Sequence, residues 1–170
     1  MRIARDVPAL SLSYSWRVDN FPTTQGRVKI LLQGHREITD VSDANFTVQR
    51  GPPPPNDAFA SAILLTGSNG TVTGTNVNAT DQSASGEPAG ENSVWYTWTP
   101  PSNGTAHFQI GMDWLKISVY TGSTIGGLTH VATSSGSPSE VTWTAVEGTT
   151  YRIRLYKNTR TSAFNLFWTL

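Results

Sequence analysis

The sequence predicts an all-β fold: an antiparallel β-sandwich, jelly-roll-like or immunoglobulin-like, preceded by a short, incomplete immunoglobulin-like β segment. Three observations predict it. Short runs alternating apolar and polar residues recur along the chain, and clusters of Gly, Pro, Asn and Ser separate them. Helical patterning is confined to residues 57–65, room for one minor turn. A run of prolines, Gly51-Pro52-Pro53-Pro54-Pro55, divides a strand-poor first part from a strand-rich second part.

The elements follow in order. Residues 10–18 place Leu10, Leu12, Tyr14, Trp16 and Val18 on one face of a strand, with Ser11, Ser13, Ser15 and Arg17 on the other. A second strand spans 27–33, where Val28, Ile30 and Leu32 alternate with Arg27, Lys29 and Leu31. A third spans 44–49, with Phe46 and Val48 facing one way. Three strands cannot close a sandwich. Residues 1–50 are therefore expected to be a partial domain carrying a candidate donor strand at 10–18. Residues 51–55 are expected to be a polyproline spacer of about 12 Å.

Residues 56–170 are expected to form the sandwich module. A strand at 63–66 meets a Ser68-Asn69-Gly70 hairpin turn and a strand at 71–77. A polar loop covers 78–92. Strands follow at 93–99, 104–110, 115–121, 128–133, 140–146, 150–157 and 163–170. Inward-facing sets are legible in Val141/Trp143/Ala145, Tyr151/Ile153/Leu155 and Phe164/Leu166/Trp168/Leu170. Trp95 and Trp98 lie three apart in one strand and so point to opposite faces, one into the core and one outside or beneath a loop.

Composition bounds function. The chain of 170 residues carries 12 basic and 12 acidic side chains, so no charge bias favours nucleic acid or an anionic membrane. Only 14% of residues are charged, while Ser, Thr, Asn and Gly abound, as in β-rich proteins outside the cytoplasm or on the cell surface. Absence of cysteine excludes disulfides, thiolate metal sites and a cysteine nucleophile. No run is apolar and long enough for a membrane helix. The beginning of the chain does not read as a signal peptide, so it follows either a removed leader or upstream sequence.

The order of motifs in residues 56–170 resembles a bacterial secreted or surface β-sandwich module related to the pre-peptidase C-terminal type. The residues that carry the resemblance are Asn56-Asp57-Ala58-Phe59-Ala60-Ser61-Ala62, Gly70-Thr71-Val72-Thr73-Gly74-Thr75-Asn76 and Gly86-Glu87-Pro88. It continues through Ser93-Val94-Trp95-Tyr96-Thr97-Trp98-Thr99-Pro100, Val119-Tyr120-Thr121-Gly122 and Gly148-Thr149-Thr150-Tyr151. Residues 14–49 resemble the end of an immunoglobulin-like module. The resemblance implies a non-catalytic spacer, adhesive or targeting role. Where related modules carry acids suited to calcium, this chain has Trp114 and Thr133-Ser134-Ser135-Gly136, which argues against such a site.

No catalytic constellation emerges. His35, His107 and His130 lack partners at metal spacing, no Gly-x-Ser-x-Gly elbow occurs, and the expectation is a non-enzyme with no metal and no cofactor. Asp57, Asp81, Glu87 and Glu91 converge on an ion only if the long loop folds over the 56–57 corner; the favoured alternative is that Asn56 and Asp57 cap a turn. Trp114, between a turn and a strand, is the candidate ligand-stacking or interface aromatic. Asn45, Asn69, Asn78 and Asn103 each open an Asn-x-Thr sequon.

Two functional expectations follow. In the first, the chain is the repeating subunit of a surface fibre: residues 10–18 are donated to an identical subunit, head to tail, and the five apolar side chains contribute about 10 kcal/mol gross on burial. In the second, it is a carbohydrate-binding or adhesion module of a secreted bacterial hydrolase, holding glycans through Trp114.

Overall fold

The computed structural model describes residues 4, 7–8, 13–15, 22–32, 34–111, 114–157 and 162–170. The chain divides into two compact units, Met1–Gly51 and Pro52–Leu170. Leu10, Leu12, Trp16 and Val18 of the expected donor strand lie outside the described residues. Within that segment, residues 13–15 form no strand, and Tyr14 is 52% exposed.

In the first unit, β1 (Thr23–Gly26) pairs antiparallel with β4 (Phe46–Val48), and β2 (Lys29–Leu32) pairs with β3 (His35–Val41). Two of these strands, β1 and β3, were not legible as strands because polar residues fill most of their length. The Phe46 ring packs over Gly26, whose place allows no side chain. Side-chain bonds support the fold, among them Arg27 Nε to Asn45 Oδ1 at 2.8 Å. Ile30, Leu31, Leu32 and Ile38 are exposed in this unit.

The second unit is the all-β sandwich. Among the described residues its nine strands are β5 (Ile63–Leu65), β6 (Asn69–Thr75), β7 (Val94–Trp98), β8 (Gly104–Ile110), β9 (Lys116–Thr121), β10 (Thr129–Thr133), β11 (Ser139–Ala145), β12 (Tyr151–Tyr156) and β13 (Ala163–Thr169). They build a five-stranded sheet, β10-β9-β12-β7-β5, and a four-stranded sheet, β11-β8-β13-β6. All ladders are antiparallel except β5 with β7.

The inner faces meet in an aromatic core. Trp98 lies 5.3 Å from Phe108 and 6.0 Å from Trp143, ring centre to ring centre, so one tryptophan ties β7 to both β8 and β11 across the sandwich. Its indole N–H donates to Gly67 O at 3.0 Å, which satisfies its polar edge. Val141, Trp143, Ala145, Phe164, Leu166 and Trp168 are all buried, as their alternation requires.

The expected hairpin joining 63–66 to 71–77 does not form. β5 and β6 belong to opposite sheets, and the chain turns at Gly67, whose φ of +82° is left-handed. Asn69-Gly70 begins β6 instead. Gly70 is required there for a packing reason, because a Cβ would overlap the Trp168 ring. The minor helical turn is a single 3-10 turn at Phe59–Ser61.

Candidate functional site

The two outer faces of the sandwich differ in kind. The five-stranded sheet is roofed by its own chain. Beneath the loop that follows β6, Trp95 packs edge-on to Phe59 at 5.1 Å and against Tyr120 at 6.2 Å. Trp98 faces the core and Trp95 this outer cluster, as their spacing predicted.

The loop is held by a buried ion pair. Arg154 Nε and Glu87 Oε1 lie 3.2 Å apart with both side chains fully buried, close enough to pair but without hydrogen-bond alignment. The guanidinium donates to Ala89 O at 3.1 Å and Gly90 O at 2.8 Å, and it stacks on Tyr156 and Trp95. Glu87 in turn accepts from Gln82 N at 2.7 Å and from the Ser93 hydroxyl. Gly90 passes so close to Tyr156 that a side chain would strike the ring.

This arrangement decides the acidic cluster. Asp57 caps the loop, accepting from Thr80 N at 2.5 Å and Thr80 Oγ1 at 2.6 Å, while Asp81 accepts from Ser83 N at 2.8 Å. Asn56 donates to Trp95 O at 3.0 Å. The four acids serve separate structural bonds or stand apart, and among the described residues no group of three or more His, Asp or Glu gathers at metal-binding range.

Within the described residues of the second unit, no element covers the outer face of the four-stranded sheet. Its residues come into register in rows across the strands: Thr142, His107, Thr169 and Asn69 in one, and Glu140, Gln109, Phe167 and Thr71 in the next. Thr144 and Thr105 extend the lattice at one end, and Asn165 with Thr73 at the other. Thr73 Oγ1 donates to Asn165 Oδ1 at 2.8 Å, a cross-strand bond that fixes both rotamers. Phe167, 47% exposed, is the aromatic of this face. Glu140 is the charged residue on these outward positions and lies 3.3 Å from His107 Nε2. Beside this pair a hollow of about 350 Å³ opens toward Thr133 and Ser135.

Trp114 does not take the exposed position expected of it. It is half-buried and packs against the main core. Phe167 escaped the sequence reading because the core-facing alternation of Phe164, Leu166 and Trp168 drew the strand's aromatics inward. The same alternation necessarily turns Phe167 outward, and that signal was available.

No family model matches the chain, and no curated protein matches it. The crystal structure of Aeromonas hydrophila PliG, a periplasmic lysozyme inhibitor of g-type lysozyme, is similar at a TM-score of 0.48 and 12% identity, covering 64% of this chain and 94% of that one. The Salmonella Typhimurium PliG structure, also a periplasmic lysozyme inhibitor of g-type lysozyme, is similar at a TM-score of 0.39 and 8% identity, covering 64% and 96%.

The expectation of a fibre subunit bound to identical subunits is corrected. The two solved structures named above are described as periplasmic lysozyme inhibitors. Of the expected donor segment, the described residues 13–15 form no strand. Trp114, the expected ligand or interface aromatic, is partly buried against the core.

Proposed function

We propose that residues 52–170 are a non-catalytic protein-recognition module acting outside the cytoplasm, with the outer face of the four-stranded sheet as its contact surface. One observation carries this reading: a half-exposed phenylalanine, Phe167, sits amid threonine, asparagine and glutamine on an almost uncharged sheet face. Hydroxyls and amides are desolvated at lower cost than carboxylates or ammonium groups, and interface centres are correspondingly poor in charge and rich in aromatics. Threonine is stiff at its first torsion, so little rotamer freedom is lost when a partner covers it. The resemblance to the pre-peptidase C-terminal type of module supports a non-catalytic role outside the cytoplasm. Among the described residues, no helix is long and apolar enough to cross a membrane.

The test is a surface-plasmon-resonance panel of envelope and secreted proteins that includes g-type lysozyme. A protein partner bound by the chain should lose about 30-fold in affinity with Phe167→Ala, near 2 kcal/mol. Val131→Ala, on the other sheet, should leave affinity unchanged. Equal affinity in Phe167→Ala, or retention of neutral polysaccharides only, would overturn the proposal.

A further inference from the structure

The face around Phe167 is small for a stable complex. Four strands at about 4.8 Å spacing and seven residues at roughly 3.4 Å each span on the order of 450 Å² in projection. A standard interface covers roughly 800 Å² per partner. A partner on this face also borders the β6 edge, which is suited to add contact.

Each sheet ends in two edge strands, and three of these four edges are blunted. β10 has a register irregularity between His130 and Ala132. β11 carries Glu140, which is bridged to Ser135. β5 is three residues long. By contrast, β6 runs for seven residues, Asn-Gly-Thr-Val-Thr-Gly-Thr, with no charge, no proline and an unbroken register against β13. Such an edge lacks the usual devices that prevent strand pairing.

The ladder phase shows which groups are offered. Leu170 N donates to Ser68 O at 2.8 Å, and Asn76 N to Ser162 O at 3.2 Å. In an antiparallel ladder these bonds recur at every second residue, so Gly70, Val72 and Gly74 exchange bonds with β13. Asn69, Thr71, Thr73 and Thr75 accordingly direct their N–H and C=O groups toward the open edge. Evenly repeated pairs of backbone donors and acceptors are matched by one kind of ligand, another extended chain. Val72 faces the core yet is only half-buried, which leaves apolar surface for side chains of an added strand.

We infer that β6 is an acceptor edge for β-strand addition by an extended, uncharged segment of a partner protein, apolar at alternate positions. The inference rests on the recognition face proposed above: the added strand continues the sheet, and the rest of the partner covers Phe167.

The probe is an end-blocked heptapeptide of alternating valine and threonine, titrated into the full chain and followed by amide NMR shifts and hydrogen exchange. Binding should shift and protect the amides of Thr71 and Thr73. Thr71→Pro should weaken it at least 10-fold while leaving the melting temperature nearly unchanged, because that N–H lies outside the internal ladder. Thr73→Lys, which adds a charge to the edge, should do the same without the backbone change. Unchanged binding by both variants would overturn the inference. So would shifts confined to β10 or β11, no shift at millimolar peptide, or self-association of the chain through β6 in sedimentation. Phe167→Ala should leave heptapeptide binding intact, so failure at the edge and failure of the face are told apart.

Discussion

Replacing Glu87 by glutamine would leave Arg154 charged inside the fold without its counter-ion. The pair is fully buried on both sides, so solvent gives no screening. Breaking a buried pair by removing one partner typically costs 3–5 kcal/mol. Arg154 keeps its bonds to Ala89 O and Gly90 O and the ring faces of Tyr156 and Trp95, which places Glu87→Gln at the lower end, about 3 kcal/mol. For a sandwich of this size that corresponds to a fall in melting temperature of roughly 12 °C. Urea unfolding followed by near-ultraviolet circular dichroism measures the first quantity and a thermal scan the second. The double variant Glu87→Gln with Arg154→Met removes the orphaned charge, so its loss should be smaller than the two single losses added together. A Glu87→Gln loss below about 1 kcal/mol would mean that the loop is held by its backbone bonds and aromatic roof alone.

Other consequences follow from the packing. Trp98→Ala should destabilise the sandwich by about 3–5 kcal/mol in chemical denaturation, because the ring spans both sheets. Trp114→Ala should lower the melting temperature while leaving partner affinity at the Phe167 face unchanged, the reverse of what a stacking platform would show. Gly70→Ala should cost about 1–3 kcal/mol, since the new methyl group meets the Trp168 ring and β13 has to shift. Burial raises the pKa of the Tyr96 phenol above its ordinary 10.0, opposed in part by the Asn56 side chain. The folded chain therefore holds this proton where the unfolded chain releases it. The contribution is complete below pH 10 and is lost as pH rises beyond it. The urea midpoint should fall above that pH, and less steeply in Tyr96→Phe.

The sandwich was legible wherever alternation met burial. Val141, Trp143 and Ala145, and likewise Tyr151, Ile153 and Leu155, are inward because period-two patterning records a sheet with one wet face. Pattern alone did not reveal long-range pairing. The β5–β6 connection reads as a hairpin locally, yet the strands join different sheets, and Asn69-Gly70 serves packing under Trp168 where a turn was expected. The Arg154–Glu87 pair was equally hidden, since an arginine within an alternating strand reads as a solvent-facing residue until a loop folds over it. The recognition face was in principle available: outward positions of β6, β8, β11 and β13 can be listed once the inward ones are known. Trp114, the more conspicuous aromatic in the sequence, is partly buried against the core, whereas Phe167 is half-exposed.

The recognition face is tested most directly by amide hydrogen exchange of the full chain with and without a bound protein partner. Added protection is expected on β6, β8 and β13 around Phe167, and none in the loop that Arg154 holds over the opposite sheet. Protection confined to that loop and the five-stranded sheet, with Phe167 and its neighbours exchanging as in the free chain, would contradict it.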